Sequence, residues 1–114
     1  MITIYHNPRC SKSRECHTLL IDTKGHETEV INYMLDLFTE KTLKNLIGLL
    51  NIEPIQLVRK NESIWKSDFK GKEMTPTEVI EAMVAYPKLI QRPIVVNGDK
   101  AVVARPLELI ESIL

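Results

Sequence analysis

The hydrophobic period of the chain changes twice between Ile2 and Tyr33, and no other feature constrains the fold as much. Ile2-Thr3-Ile4-Tyr5 alternates at period two, as a half-buried strand does. His6-Asn7-Pro8-Arg9 breaks the alternation as a turn. From Ser11 the apolar positions take helical spacing, with Cys16, Leu19, Leu20 and Thr23 on one face and Gly25 as the stop. Glu29-Val30-Ile31-Asn32-Tyr33 returns to period two. A strand, a helix and a strand in this space form a βαβ unit, so the two strands should run parallel.

The middle of the chain is helical. Thr39 can cap a helix with Leu43, Leu46, Ile47 and Leu50 on its apolar face and Asn51 at its end. Pro54 opens a short helical stretch to about Leu57. Asn61 to Glu73 lacks a clear period, and Ile64, Trp65 and Phe69 are expected to anchor a loop or a single turn. Thr75-Pro76-Thr77-Glu78 combines an N-cap, a proline at the first helical position and a capping-box glutamate. Val79, Ile80, Met83 and Val84 give the helix that follows its buried face.

Towards the C-terminus the period shortens again. Pro93-Ile94-Val95-Val96 and Ala101-Val102-Val103-Ala104 flank Asn97-Gly98-Asp99, a hairpin signal because Asn-Gly readily takes positive φ. Arg105-Pro106 then starts a closing helix with Ile110, Ile113 and Leu114 inward. The order βαβ, helical insert, ββα predicts an α/β protein with a mixed four-stranded sheet, built as one domain over residues 1–114 with the insert at about 38–90.

Composition narrows the classes of function. The 114 residues are 44% hydrophobic and 26% charged, which suits a folded domain with a core of its own. Fifteen Lys and Arg balance fifteen Asp and Glu, so neither a nucleic-acid nor an anionic membrane partner is expected. No apolar run approaches the ~18 residues that span a bilayer. Met1 to Tyr5 lacks the basic and long apolar regions of a signal peptide, and a cytoplasmic location is expected. Two cysteines are too few for a disulfide scaffold. With His6, His17 and His26 they show no metal-ligand spacing, so no metal is expected.

Chemistry concentrates at Cys10, where the first strand has ended and the first helix begins. Free backbone N–H groups and the positive end of the helix dipole meet there. Arg9, Lys12, Arg14 and His6 can add positive charge, and no carboxylate falls between Arg9 and Arg14. Each effect favours the thiolate, which is the nucleophilic form. The competing reading is a buried cysteine acting as a small hydrophobe. Position 13 is Ser13, which excludes a Cys-x-x-Cys exchange pair. A low-molecular-weight phosphatase loop needs an arginine where Cys16 stands. Six helical residues rise ~9 Å, beyond the ~7 Å Cα limit for a disulfide, so Cys16 does not pair with Cys10 unless the helix unwinds. Its place on the apolar stripe favours a core role.

Three arginines complete the candidate site. Arg92 and Arg105 each precede a proline, which biases them to extended backbone at strand ends, and Arg59 follows the apolar stretch Ile55 to Val58. Ligands gather at strand ends in such sheets, and guanidinium groups bind tetrahedral oxyanions through paired hydrogen bonds. The competing reading for each is a solvated or salt-bridged surface arginine.

Four segments together, His6-Asn7-Pro8-Arg9-Cys10-Ser11-Lys12-Ser13-Arg14, Leu57-Val58-Arg59-Lys60-Asn61, Gln91-Arg92-Pro93-Ile94-Val95-Val96 and Ala104-Arg105-Pro106, resemble the ArsC family in the family's order. The resemblance runs from the first strand to the last helix. That family contains glutaredoxin-coupled arsenate reductases and their YfgD-like relatives, and Cys10-Ser11-Lys12-Ser13-Arg14 resembles the YfgD-like branch rather than the Cys-Gly-Thr-Ser-Arg of plasmid-type reductases. The resemblance implies a thioredoxin-like fold with a helical insertion. It makes Cys10 the nucleophile towards arsenate, Arg59, Arg92 and Arg105 the oxyanion-binding trio, His6 an aid to Cys10 ionisation and Arg14 part of the same motif. It also implies a cis peptide before Pro93, glutathione as co-substrate with no tightly bound cofactor, and glutaredoxin as protein partner. Two other readings share the fold or the thiol. Spx-type regulators resemble the family and bind RNA polymerase, although many carry a Cys-x-x-Cys switch that Ser13 removes. A glutathione-dependent thiol oxidoreductase acting on another substrate would use the same Cys10 chemistry.

Overall fold

A computed structural model of the chain describes residues 2–20 and 27–114. Thr23 of the expected helix face and the helix stop expected at Gly25 lie outside the described residues, as does His26. The chain forms two compact units: one runs to Asp36 and resumes over Arg92–Leu114, and the other is Leu37–Gln91.

The first unit carries the sheet. Strands β1 (Ile2–His6), β2 (Thr28–Asn32), β3 (Ile94–Asn97) and β4 (Lys100–Val103) lie in the order β2-β1-β3-β4. β1 runs parallel to β2 and antiparallel to β3, and β3 runs antiparallel to β4. The mixed four-stranded sheet and its parallel first pair are therefore as the period changes predict. Period two sets the burial: Ile2 and Ile4 of β1 point into a core with Cys16 and Leu20, Val95, Ala104, Ile110 and Ile113. Helix α1 (Ser11–Thr18) supplies Cys16 to that core. Burying an isoleucine such as Ile4 contributes about 1.5–3 kcal/mol.

Several local expectations change. β2 ends at Asn32, because the Asn32 carbonyl accepts from the N–H groups of Leu35 and Asp36 and its side-chain oxygen accepts from Met34. Tyr33 thus starts a turn instead of ending a strand. In the hairpin, Asn97 pairs with Lys100, so Gly98 and Asp99 form the two-residue loop. Positive φ falls on Gly98 (+64°) and not on Asn97, as in hairpins with glycine at the first loop position. The Asn97 side chain instead donates to the Ile113 carbonyl at 2.6 Å. The closing helix is a 3-10 helix over Leu107–Ile113. Leu107, Ile110 and Ile113 recur every third residue, matching its threefold period, and this leaves Leu114 off the buried row and 40% exposed.

The second unit is helical. Helix α2 (Glu40–Leu50) is capped by Thr39, whose side chain accepts from Thr42 N–H at 3.1 Å, and it ends at Asn51 in the left-handed conformation. Leu43, Leu46 and Ile47 are buried, while Leu50 is half-buried. A 3-10 turn spans Pro54–Leu57. Helix α3 (Ser63–Asp68) forms where sequence periodicity suggests a loop or turn. Six residues are too few to show a period, and its anchor is Trp65, stacked on Phe69 at 5.4 Å between centroids, with Tyr86 edge-on to Phe69. Helix α4 (Pro76–Ala85) starts with the expected capping box, the Thr75 side chain accepting from Glu78 N–H and the Glu78 carboxylate accepting from Thr75 N–H. Val79, Ile80 and Met83 face inward. Val58 and Ile90 form an isolated antiparallel bridge flanked by hydrogen bonds from Arg59 N–H to Leu89 and from Gln91 N–H to Leu57. Among the described residues no helix is long and apolar enough to cross a membrane.

Candidate active site

Cys10 occupies the N-cap of α1 with extended backbone dihedrals, at the turn that leaves β1. Three contacts shape that turn. Cys10 N–H donates to the Asn7 carbonyl at 2.9 Å, Arg9 N–H donates to the Asn7 side-chain oxygen at 3.0 Å, and Asn7 N–H donates to Ser13 Oγ at 2.9 Å. Asn7 and Ser13 are both buried, so each bond replaces one that water cannot supply. The eight-residue α1 has no acidic residue in its first turn to oppose the dipole at the sulfur.

The half-buried Cys10 thiol titrates below its ordinary value. Burial by itself raises it. Outweighing that are the Ser13 backbone N–H, the Arg92 side chain as donor and as charge, and the Lys12 backbone N–H, all of which favour the anion. Cys16, fully buried, is pushed up to about 12 by desolvation. The two cysteines thus differ as their sequence positions suggest: one is electropositive and reachable, the other apolar and closed.

The charge at the sulfur comes from across the sheet more than from its sequence neighbours. Arg14 donates to the Pro8 carbonyl at 2.9 Å, and Lys12 pairs with Glu15 at 3.7 Å, both on the surface. His6 meets Ser13, with 2.9 Å between Nδ1 and Oγ, and its ring stacks on His17 at 5.2 Å. Burial first, then the charges of His17 and Arg14, lower the His6 pKa, with Ser13 opposing them. Arg92 precedes β3, and its peptide to Pro93 is cis, as is the Arg105–Pro106 peptide. Arg105 is exposed and lines, with Lys12, Glu15, Leu107 and Glu108, a depression of about 250 Å³. Arg59 belongs to the second unit, where its guanidinium pairs with Glu62 at 2.9 Å. Among the described residues no group of three or more His, Cys, Asp or Glu side chains could hold a metal ion.

Three residues at this end of the sheet are not singled out by sequence spacing: Asn7, Ser13 and Tyr33. Ser13 lies three residues before Cys16, on the same buried helix face, and that spacing is the signal for it. Asn7 is held by neighbours within six positions, Arg9, Cys10 and Ser13, whereas Tyr33 lies just past a strand whose pattern gives it no special place.

A cysteine at a helix N-terminus, set beside the end of a β2-β1-β3-β4 mixed sheet, defines a thiol protein of the thioredoxin-like fold. The profile of the ArsC family matches residues 5–113, and the chain belongs to that family. It is 39% identical over 115 residues to the uncharacterized protein YfgD of Escherichia coli (strain K12), covering 99% of this chain and 96% of that protein. An arsenate reductase of Haemophilus influenzae is 36% identical over 115 residues, covering 99% of this chain and 98% of its own length. Among solved structures, an arsenate reductase from Vibrio cholerae superposes with a TM-score of 0.92 at 36% identity, covering 99% of this chain and 97% of that one.

Proposed function

We propose that the chain is an arsenate reductase in which Cys10 is the nucleophile and glutathione and glutaredoxin supply the electrons. The observation that carries this reading is the low-titrating Cys10 thiol beside the Arg92 guanidinium, a nucleophile and an oxyanion donor on one spot. Membership of the ArsC family and the arsenate reductases at 36% identity supply the substrate.

The Cys10 thiolate attacks the arsenic of arsenate, forming an S–As bond as one oxygen leaves as water. Arg92, with Arg59 and Arg105 as the other members of the trio, neutralises the oxyanion and the charge that builds as the bond forms. His6 and Arg14 keep the Cys10 turn in place, His6 through Ser13 and Arg14 through the Pro8 carbonyl. Glutathione then adds through its sulfur to the same arsenic, releasing a second water. A glutaredoxin thiolate attacks the glutathione sulfur, the S–As bond to glutathione breaks, and its electron pair reduces As(V) to As(III). The products of that step are a mixed disulfide and an arsenite still held on Cys10, which water releases. The second thiol comes from outside the chain, so neither a resolving cysteine nor Cys16 is needed.

The test is arsenite production by the purified chain with glutathione, glutaredoxin and a reductant that recycles them. Turnover that disappears in folded Cys10→Ser and persists in Cys16→Ser is the expected result. No arsenite from the wild-type chain, or equal loss in both variants, overturns the scheme.

A further inference from the structure

Ser13 is fully buried, and among the described residues its hydroxyl meets two groups, the Asn7 N–H and His6 Nδ1, each at 2.9 Å. An N–H can only donate, so towards Asn7 the hydroxyl oxygen accepts. The hydroxyl has one proton of its own, and of these two groups only His6 Nδ1 can take it. Nδ1 is then bare, which puts the proton of a neutral His6 on Nε2. With the roles reversed, Ser13 Oγ accepts twice and its own proton is buried without an acceptor, which costs free energy.

The surroundings of the ring agree with a neutral His6. The half-buried imidazole stacks on His17, with 5.2 Å between centroids and 28° between planes, so a packed ring helps to hold the edge that faces Ser13. Opposite His6, β2 carries uncharged Asn32. The titratable and charged groups facing the ring are His17 and Arg14 of α1, and neither offers a negative charge to an imidazolium. The bond in turn supports the Cys10 turn. Ser13 Oγ holds Asn7, the Asn7 carbonyl accepts from Cys10 N–H, and Ser13 N–H favours the Cys10 anion.

We propose that neutral His6, with its proton on Nε2, latches the Cys10 turn by accepting the Ser13 hydroxyl, and that a proton taken up at Nδ1 opens the latch. His6 is then a positioning residue that aids Cys10 as an acceptor and not as a cation. The two kinds of aid respond oppositely to acid. An imidazolium acting by charge favours the thiolate more as the pH falls. An opened latch leaves the Ser13 proton without a partner and loosens the residue whose N–H favours that thiolate, so the Cys10 anion is lost faster than its own titration requires.

The inference rests on Cys10 as the reacting group, but its test reads the imidazole and the thiol and needs neither arsenate nor turnover, so it can fail while arsenite production stands. The first readout is ¹⁵N NMR of the histidine rings at about pH 7.5, where an ordinary imidazole is neutral. The His6 signals are those lost in His6→Asn, and couplings to the ring carbon protons tell Nδ1 from Nε2. The expected result is a proton on Nε2 and a bare Nδ1 whose resonance moves in Ser13→Ala. A proton on Nδ1, or an Nδ1 resonance indifferent to Ser13→Ala, overturns the proposal. The second readout is the rate of Cys10 carbamidomethylation on the acid side of its midpoint, with unlabelled Cys16 showing that the chain stays folded. Loss of the thiolate alone lowers the rate about tenfold per pH unit. The wild-type chain should fall more steeply than that where His6 takes up its proton, and His6→Asn should fall about tenfold per unit. A wild-type slope equal to that of His6→Asn, or shallower as a cationic aid requires, overturns the latch.

Discussion

Ser13 and His6 meet side chain to side chain, with 2.9 Å between serine Oγ and histidine Nδ1, although seven positions separate them in the chain. The same hydroxyl oxygen accepts the buried Asn7 N–H at 2.9 Å. One serine therefore ties the end of β1, the Cys10 turn and the first turn of α1 into a single unit. Ser13→Ala leaves the Asn7 N–H buried without its acceptor. The expected loss is about 1–3 kcal/mol of unfolding free energy. Urea unfolding measures it, and a midpoint equal to that of the wild-type chain would show that the hydroxyl does not hold the turn.

The two cysteines should react as different chemical species. Cys10 is half-buried and titrates below its ordinary value, whereas Cys16 is closed off and pushed up to about 12. At pH 7 iodoacetamide should add one carbamidomethyl group to the folded chain, on Cys10, and a second only after unfolding in denaturant. Intact-mass and peptide analysis decide the matter. Rapid labelling of Cys16 in the folded chain would contradict its place in the core.

Local patterns account for what the sequence reveals. The βαβ start, the Thr39 and Thr75 caps and the hairpin turn at Gly98-Asp99 are each set by residues within a few positions of one another. The closing 3-10 helix was also visible in principle, since Leu107, Ile110 and Ile113 recur every third residue. Helix α3 was not, because Trp65 and Phe69 are held through Tyr86 and not through a repeating stripe. The site divides in the same way. A cysteine just ahead of a helix identifies its own backbone environment. The cation that acts on its sulfur does not follow from neighbouring letters: Arg9, Lys12 and Arg14 are near it in sequence, yet the one that acts on the thiol is Arg92, just ahead of β3, the strand that pairs with β1.

Arg92 and Arg105 both precede a proline, and substitution should separate them. Arg92→Ala removes a donor and a charge from the Cys10 thiolate, so the alkylation midpoint should move up towards that of an ordinary cysteine. If the same guanidinium also stabilises the transition state for arsenate, the kcat for arsenite formation should fall ~10²–10³-fold. Exposed Arg105 does not figure among the groups acting on the sulfur, so Arg105→Ala should leave the thiol midpoint in place. Equal midpoints in the two variants would remove the special place given to Arg92.

His6 gives the chain a pH dependence whose sign follows from its environment. Burial, followed by His17 and Arg14, sets its pKa in the folded chain below the ordinary 6.5. Above that unfolded value the ring is neutral in both states and the full stability is present. As pH falls below it, the unfolded chain takes up a proton that the folded chain resists, so unfolding gains free energy until the folded pKa is passed. Stability should therefore decline on acidification from about pH 6.5 downwards. The slope should be shallower in His6→Asn, which keeps a polar side chain near Ser13 but cannot titrate. Urea midpoints at half-unit steps between about pH 7.5 and 5 compare the two chains. Identical slopes, with both variants folded at neutral pH, would mean that His6 is as easily protonated in the native turn as in the open chain.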